Sequence, residues 1–379
     1  MRERVPIIVD CTELYQNPVR SGIQRVVREM LRYWPEGGPE IEMAWFNGND
    51  LCRIPDEAHA ILADRAPGIA DLPLQEVRAR LRGLRATRWA LPSDAPVFIP
   101  EMFYDRDRAF FHRTRAARAP LAMLAFDFLP FLQPDLFNIR KGGDRMGYLV
   151  ALRAASAVAH ISEQTRQNYI NRLMRHTNPA PGPVLQLGAD GLMMDQQQWS
   201  STRKTFVALG TLDGRKNQHL ILEAFTGLWR GGRDIPLVII GNPLPHINRE
   251  PYLTALKEYP RQFKWLQDAT DAQIRAELAD ARATIYASTA EGYGLPPVES
   301  LCIGIPTIAN AQIPSLEMIA PDGQWRLSKV TAQDIREAVV AITDDMTAAQ
   351  LWAAAAQLKL QTWRRFGEQT AAWIAEFAR

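Results

Sequence analysis

Apolar residues along the chain alternate between short continuous runs and longer stretches with helical spacing. Pro6-Ile-Ile-Val-Asp10 reads as a first strand, and a polar loop follows it from Cys11 to Arg20. Ile23, Val26, Val27, Met30, Leu31 and Trp34 then recur at helical spacing and mark one buried face. Residues 41–46, 96–100, 121–126 and 157–161 read as further strands, with helical candidates at 147–155 and 163–174. Strand and helix in turn predict a parallel sheet covered by helices.

The pattern breaks at His176-Thr-Asn-Pro-Ala-Pro-Gly-Pro183, a cluster of helix and strand breakers. A second alternation starts at Thr205-Phe-Val-Ala-Leu-Gly210. It predicts strands at 237–241, 263–266 and 283–287, and helices at 218–229, 271–281 and from 297 to 303. Two alanine-rich helical stretches occupy 348–379. The fold class is α/β, with a domain boundary near 190–204 and no internal repeat.

Composition narrows the function classes. The 379 residues, 47% of them hydrophobic and 23% charged, are ordinary for a globular chain and exclude a collagen-like or wholly disordered one. No apolar run reaches the length of a membrane span, and the first residues lack a signal-peptide core, so a cytoplasmic location is expected. A net charge of +2 argues against a nucleic-acid binder. Cys11, Cys52 and Cys302 share no metal-ligand spacing and read as buried reduced thiols. No His/Asp cluster has ligand spacing, so no metal is expected.

The segment most informative about chemistry is Ala290-Glu-Gly-Tyr-Gly-Leu-Pro-Pro-Val-Glu-Ser300. A strand leads into a glycine-containing loop, and Pro296-Pro297 suits the first turn of a helix. Backbone N–H groups and the positive helix end would then face the carboxyl edge of a sheet, which favours an anion. Glu291 and Glu299 bracket this turn, and carboxylates there can accept hydrogen bonds from sugar hydroxyls. A strand-to-helix turn with a capping glutamate is the simpler reading of the same residues.

Glu291-x7-Glu299 around Gly-Tyr-Gly-Leu-Pro resembles the signature of retaining GT-B glycosyltransferases of the large family 4 type, the mannosyl-, rhamnosyl- and glucosyltransferase group. Gly304-Ile-Pro-Thr-Ile308 resembles the strand that follows that motif, 264–273 the nucleobase-side strand and loop, and Gly210-Thr-Leu-Asp-Gly-Arg-Lys-Asn217 the phosphate-binding segment. Thr270 and Gln273 also form a capping-box pattern.

The resemblance implies two Rossmann-like domains facing across a cleft: 1–190 binding acceptor, 191–360 binding nucleotide sugar, and a C-terminal helix at 361–379 returning to the N-terminal domain. It implies that Lys216 and Arg215, after Gly210, meet the diphosphate, where fixed cations stabilise the departing charge. Glu299 would bind the ribose and Glu291 the donor sugar, with the backbone of Gly292, Tyr293, Gly294 and Leu295 against sugar and phosphate. Many relatives carry arginine directly after the strand glycine, where this chain has Thr211. In the N-terminal half, Ser21-Gly22 resembles the family's first glycine loop and is equally a helix cap. Ala125-Phe-Asp-Phe-Leu-Pro130 resembles a family segment with Phe126 in place of a donor-binding histidine. Asp127 there is either an acceptor-site or a structural carboxylate. Ser162 reads as a cap, and His160 as a packed strand residue rather than a base.

Arg78, Arg80, Arg82, Arg85 and Arg88 lie in one basic stretch, either a solvated helix face or a surface for anionic lipid. The function expected is a metal-independent hexosyltransferase with retention. It would move mannose or rhamnose from a nucleotide diphosphate sugar, GDP-sugar favoured, to a glycan or lipid-linked acceptor of bacterial surface polysaccharide. Two alternatives remain: a non-catalytic nucleotide-sugar-binding GT-B protein of a glycan assembly complex, and a same-fold nucleotide-sugar epimerase.

Overall fold

The computed structural model describes residues 5–19, 22–69, 72–84, 87, 88, 92, 94–136 and 146–378, with 87 and 88 given by their backbone alone. Two compact units divide the chain: Met1–Gly188 with Thr362–Arg379, and Ala189–Gln361.

The first unit holds β1 (Ile7–Asp10), β2 (Ile41–Phe46), β3 (Leu51–Arg53), β4 (Thr87–Arg88), β5 (Val97–Ile99), β6 (Leu121–Ala125) and β7 (Ala157–His160). The sheet order is β4-β3-β2-β1-β5-β6-β7. β3 runs antiparallel to both its neighbours, and the other pairs are parallel. Ser162 caps the helix Glu163–Asn168, accepting from Thr165 N at 3.1 Å, and a π-helical turn, Tyr169–Leu173, continues it. The helix Trp363–Phe377 packs on Gly22–Arg32. Gly367 makes the approach close, because a Cβ there would lie 2.7 Å from the Tyr33 carbonyl oxygen.

The second unit holds β8 (Thr205–Leu209), β9 (Leu237–Ile240), β10 (Phe263–Leu266), β11 (Ala281–Tyr286), β12 (Thr307–Asn310) and β13 (Gln324–Leu327). All are parallel, in the order β10-β9-β8-β11-β12-β13. β9 and β11 are buried along their whole length, the mark of a sheet covered on both faces. Numbered within the unit the order is 3-2-1-4-5-6, the doubly wound Rossmann arrangement, whose switch point lies between β8 and β11.

The first unit's own switch point, between β1 and β5, carries a buried ionic network that no sequence spacing announced. Arg108, wholly buried, donates to Asp10 at 2.9 Å, to Glu101 at 3.0 Å and to Glu13 at 3.4 Å. His112 Nε2 lies 2.6 Å from the same Asp10 carboxylate. Burial alone would raise the Asp10 pKa; Arg108, His112 and Thr12 overcome it and hold that carboxyl well below the usual range. Glu101 also accepts from the backbone N–H groups of Glu13 and Leu14, which ties β5 to the first turn of the helix Thr12–Gln16. Removing one partner of such a network strands the others. Arg108→Met is therefore expected to cost about 3–5 kcal/mol, read as a lowered urea midpoint with unchanged slope.

Candidate active site

The residues singled out around the glutamates gather at the carboxyl ends of β8 and β11, the edge where open α/β sheets bind ligands. After β8 the chain passes Gly210, with φ +136°, and enters a short 3₁₀ turn, Gly214–Lys216. Asn217 follows in the left-handed region (φ 54°) and starts the helix Gln218–Arg230. Asp213 caps the 3₁₀ turn from its N-terminal side. Gln218 reaches back to the carbonyls of Gly210 and Thr211, at 3.3 and 2.9 Å. Gly241 ends β9 beside Gly210, and a Cβ at Gly241 would sit 2.1 Å from the Gly210 carbonyl oxygen. Only glycine permits this contact between strand ends.

Arg215 and Lys216 have different surroundings. The Arg215 guanidinium meets Asp213 at 2.8 Å, Glu291 at 3.2 Å and the Ala290 carbonyl at 2.8 Å. The Lys216 ammonium is half-buried and makes no hydrogen bond or ion pair among the described residues. It lies over Gly210, 3.1 Å from where a Cβ would be. Burial lowers its pKa, with Glu291 opposing. The turn thus offers one uncommitted cation, where the sequence reading placed a pair.

Beyond β11, the loop to the helix Leu295–Cys302 carries Glu291, Gly292, Tyr293 and Gly294. Gly294 precedes the helix with φ +89°, and a Cβ there would lie 2.5 Å from Ile313 Cγ2. Ser315 fixes this loop by donating from its backbone N–H to the Tyr293 carbonyl (2.8 Å) and from its hydroxyl to the Gly294 carbonyl (2.6 Å). A proline stands in the first helical turn. Glu299, 3% exposed, is buried within this helix.

Three side chains outside the sequence-derived set complete the arrangement. Tyr286 and Ser288 donate to Glu291 Oε1 at 2.7 and 2.9 Å. Asn310, at the end of β12, holds the Ser288 carbonyl at 2.9 Å. A tyrosine at a strand end and a serine in the loop after it carry no spacing signal in the sequence.

The remaining candidates belong to the first unit. Gly22, with φ +61°, opens the helix Gly22–Arg32 in the first unit, while Ser21 falls outside the described residues. Asp127 accepts from Leu129 N at 3.1 Å at the start of the helix Leu129–Leu132, and Phe126 is buried. His160 is a buried end of β7, its pKa lowered by burial to about 4. Of the arginine stretch, Arg78 bonds to Asn17, Arg80 pairs with Glu76 at 3.2 Å, and Arg82 is exposed. Arg85 lies outside the described residues, as does the Arg88 side chain. Among the described residues no group of three or more His, Cys, Asp or Glu is placed to hold a metal ion. No helix among them is long and apolar enough to cross a membrane.

Two Rossmann-like α/β units in one chain are the architecture of the GT-B fold. Residues 192–358 match the family Glycosyl transferases group 1. It is 27% identical over 359 residues to the serotype-specific mannosyltransferase WbdA of Escherichia coli, the match covering 88% of this chain and 41% of the relative. The chain therefore spans less than half the length of that curated relative. Sucrose-phosphate synthase from Thermosynechococcus elongatus superposes with a TM-score of 0.69 at 13% identity, covering 98% of this chain and 99% of that one. Anabaena HepE in complex with UDP superposes with a TM-score of 0.64 at 15% identity, covering the same 98% and 99%.

Gly294→Ala meets both a strained backbone and the Ile313 methyl. It is expected to destabilise the protein by about 2–5 kcal/mol, measured as a lowered denaturant midpoint.

Proposed function

We propose that the chain transfers a hexose, mannose favoured, from a nucleotide diphosphate sugar to a glycan or lipid-linked acceptor in bacterial surface polysaccharide synthesis. The observation that carries this reading is the Lys216 ammonium, uncommitted among the described residues and held over Gly210 beside the Glu291 loop. A departing nucleoside diphosphate accumulates negative charge, and a fixed cation in a partly dry site stabilises it. Lys216 meets the diphosphate in this reading, Glu299 the ribose and Glu291 a hydroxyl of the sugar. The family resemblance supplies the stereochemical course. The acceptor attacks the face that the diphosphate leaves, the configuration is retained, and the leaving phosphate takes the acceptor proton. The likeness to WbdA supports mannose, and hence a GDP-sugar.

A thermal-shift panel of UDP, GDP, dTDP and ADP with the matching sugar nucleotides tests the donor site. A ligand at about 100 times its Kd adds about 2.7 kcal/mol of stability. We expect one base to be preferred and its shift to be lost in Glu299→Ala. Lys216→Ala should cut transfer about 100-fold or more; transfer within about threefold of wild type would mean the donor site is misplaced. Binding without transfer or donor hydrolysis would instead favour a non-catalytic nucleotide-sugar-binding protein, the role that Phe126 and Thr211 suggest. With the Lys216 pKa lowered, nucleotide affinity should decline with rising pH before an ordinary lysine would lose its proton.

The exposed Arg82 and its neighbour Arg80 carry the second part of the proposal, peripheral association with an anionic membrane at the inner face of the cell envelope. Reversing both to glutamate should release the protein from anionic vesicles in a flotation assay, and undiminished binding would sink the idea.

A further inference from the structure

The carboxylate of Glu291 is held unevenly. Its Oε1 accepts from the Tyr286 hydroxyl at 2.7 Å and from Ser288 Oγ at 2.9 Å, while Oε2 faces Arg215 at 3.2 Å. A carboxylate has about four acceptor positions, two on each oxygen. Among the described residues the two on Oε1 are filled by hydrogen bonds, while Oε2 has the Arg215 ion pair and no hydrogen bond. The donors come from the end of β11, the loop after it and the turn after β8, so the group cannot rotate without breaking contacts to separate parts of the fold.

Tyr286 creates this asymmetry. On one side of β11 the strands β8, β9 and β10 end in the apolar Leu209, Ile240 and Leu266, while β12 on the other side ends in Asn310, which holds the Ser288 carbonyl. β11 ends instead in a tyrosine that is 5% exposed, and among the described residues Glu291 is the only partner of its hydroxyl. A buried hydroxyl is costly unless it is paired, so packing alone would be served as well by phenylalanine. Burial, and then the adjacent carboxylate, push the phenol well above its ordinary pKa, so it remains a donor at neutral pH.

We propose that Tyr286 is a positioning residue for recognition of the donor hexose: with Ser288 it occupies Oε1 of Glu291, so that only Oε2 is presented to one sugar hydroxyl. This rests on the donor-site reading above and concerns the sugar alone. Loss of the phenol leaves Lys216 and the diphosphate position untouched, and frees the carboxylate to turn.

The test compares two ligands on one variant by isothermal titration. The nucleoside diphosphate preferred by wild type has no sugar, and its hexose conjugate (GDP and GDP-mannose in the favoured case) differs by that group only. Tyr286→Phe should bind the diphosphate within twofold of wild type and the sugar nucleotide about fivefold more weakly, the loss expected for one loosened hydrogen bond. Ser288→Ala, which removes the second donor to the same oxygen, should act in the same direction. Tyr252→Phe, at a buried tyrosine packed on Trp265 in the same unit, should change neither. Parallel weakening of both ligands in Tyr286→Phe would make the tyrosine merely structural, and no change in either would show that Glu291 is held without it; both results overturn the proposal. Failure of wild type to bind any of UDP, GDP, dTDP or ADP would overturn the donor-site reading itself, and this proposal with it.

Discussion

The backbone carbonyl of Arg215 gathers the loops of the second unit. It accepts from the Thr289 N–H at 2.9 Å and from the Thr289 hydroxyl at 3.2 Å, with Ser288 Oγ and Asn217 Nδ2 each 3.4 Å away. Asn217 also donates to the Ala287 carbonyl at 3.0 Å from a left-handed backbone position that asparagine tolerates better than most residues. A parallel sheet covered on both faces exposes its polar groups at the strand ends, and these bonds satisfy them there. They also fix the turn after β8 against the loop after β11, so Lys216 and Glu291 keep a set relation. The proposed donor site rests on that relation.

The two units use charge in opposite ways at equivalent places in their topology. At the β1/β5 switch point Arg108, Asp10 and Glu101 are fully enclosed and satisfy one another, while Glu13 reaches the rim. At the β8/β11 switch point Arg215 is consumed in the same manner, yet Lys216 beside it is left over. A closed network gives rigidity and nothing to bind. A network with one cation to spare gives rigidity and, in the proposed reading, a place for the diphosphate.

The strands that were legible in the sequence were continuous apolar runs such as Leu237-Val-Ile-Ile240, whose burial on both faces leaves no ambiguity. The short antiparallel β3 and β4 were not, since three and two residues carry no period. β13, Gln-Trp-Arg-Leu, alternates polar and apolar residues over four positions, too few for a period to announce a strand. The helix Ala332–Thr343 went unread despite its buried Ile335, Val339 and Ile342. Local motifs did translate: the Thr270–Gln273 capping box forms, and Ser162 caps its helix. Nonlocal pairing did not, because Asp10 and Arg108 are 98 residues apart and meet only through the sheet order. For the same reason the glutamate motif points to the loop after β11, whereas the division of labour between Arg215 and Lys216 is set by Glu291 and Ala290, about 75 residues away in the chain.

The chain leaves its first unit at Gly188 and re-enters it at Thr362, so the second unit is an insertion within the first. During synthesis Ala189–Gln361 emerges as an unbroken segment with its whole sheet, and can become a folded body by itself. The packing of Trp363–Phe377 on Gly22–Arg32 therefore joins segments that are made on either side of the inserted unit.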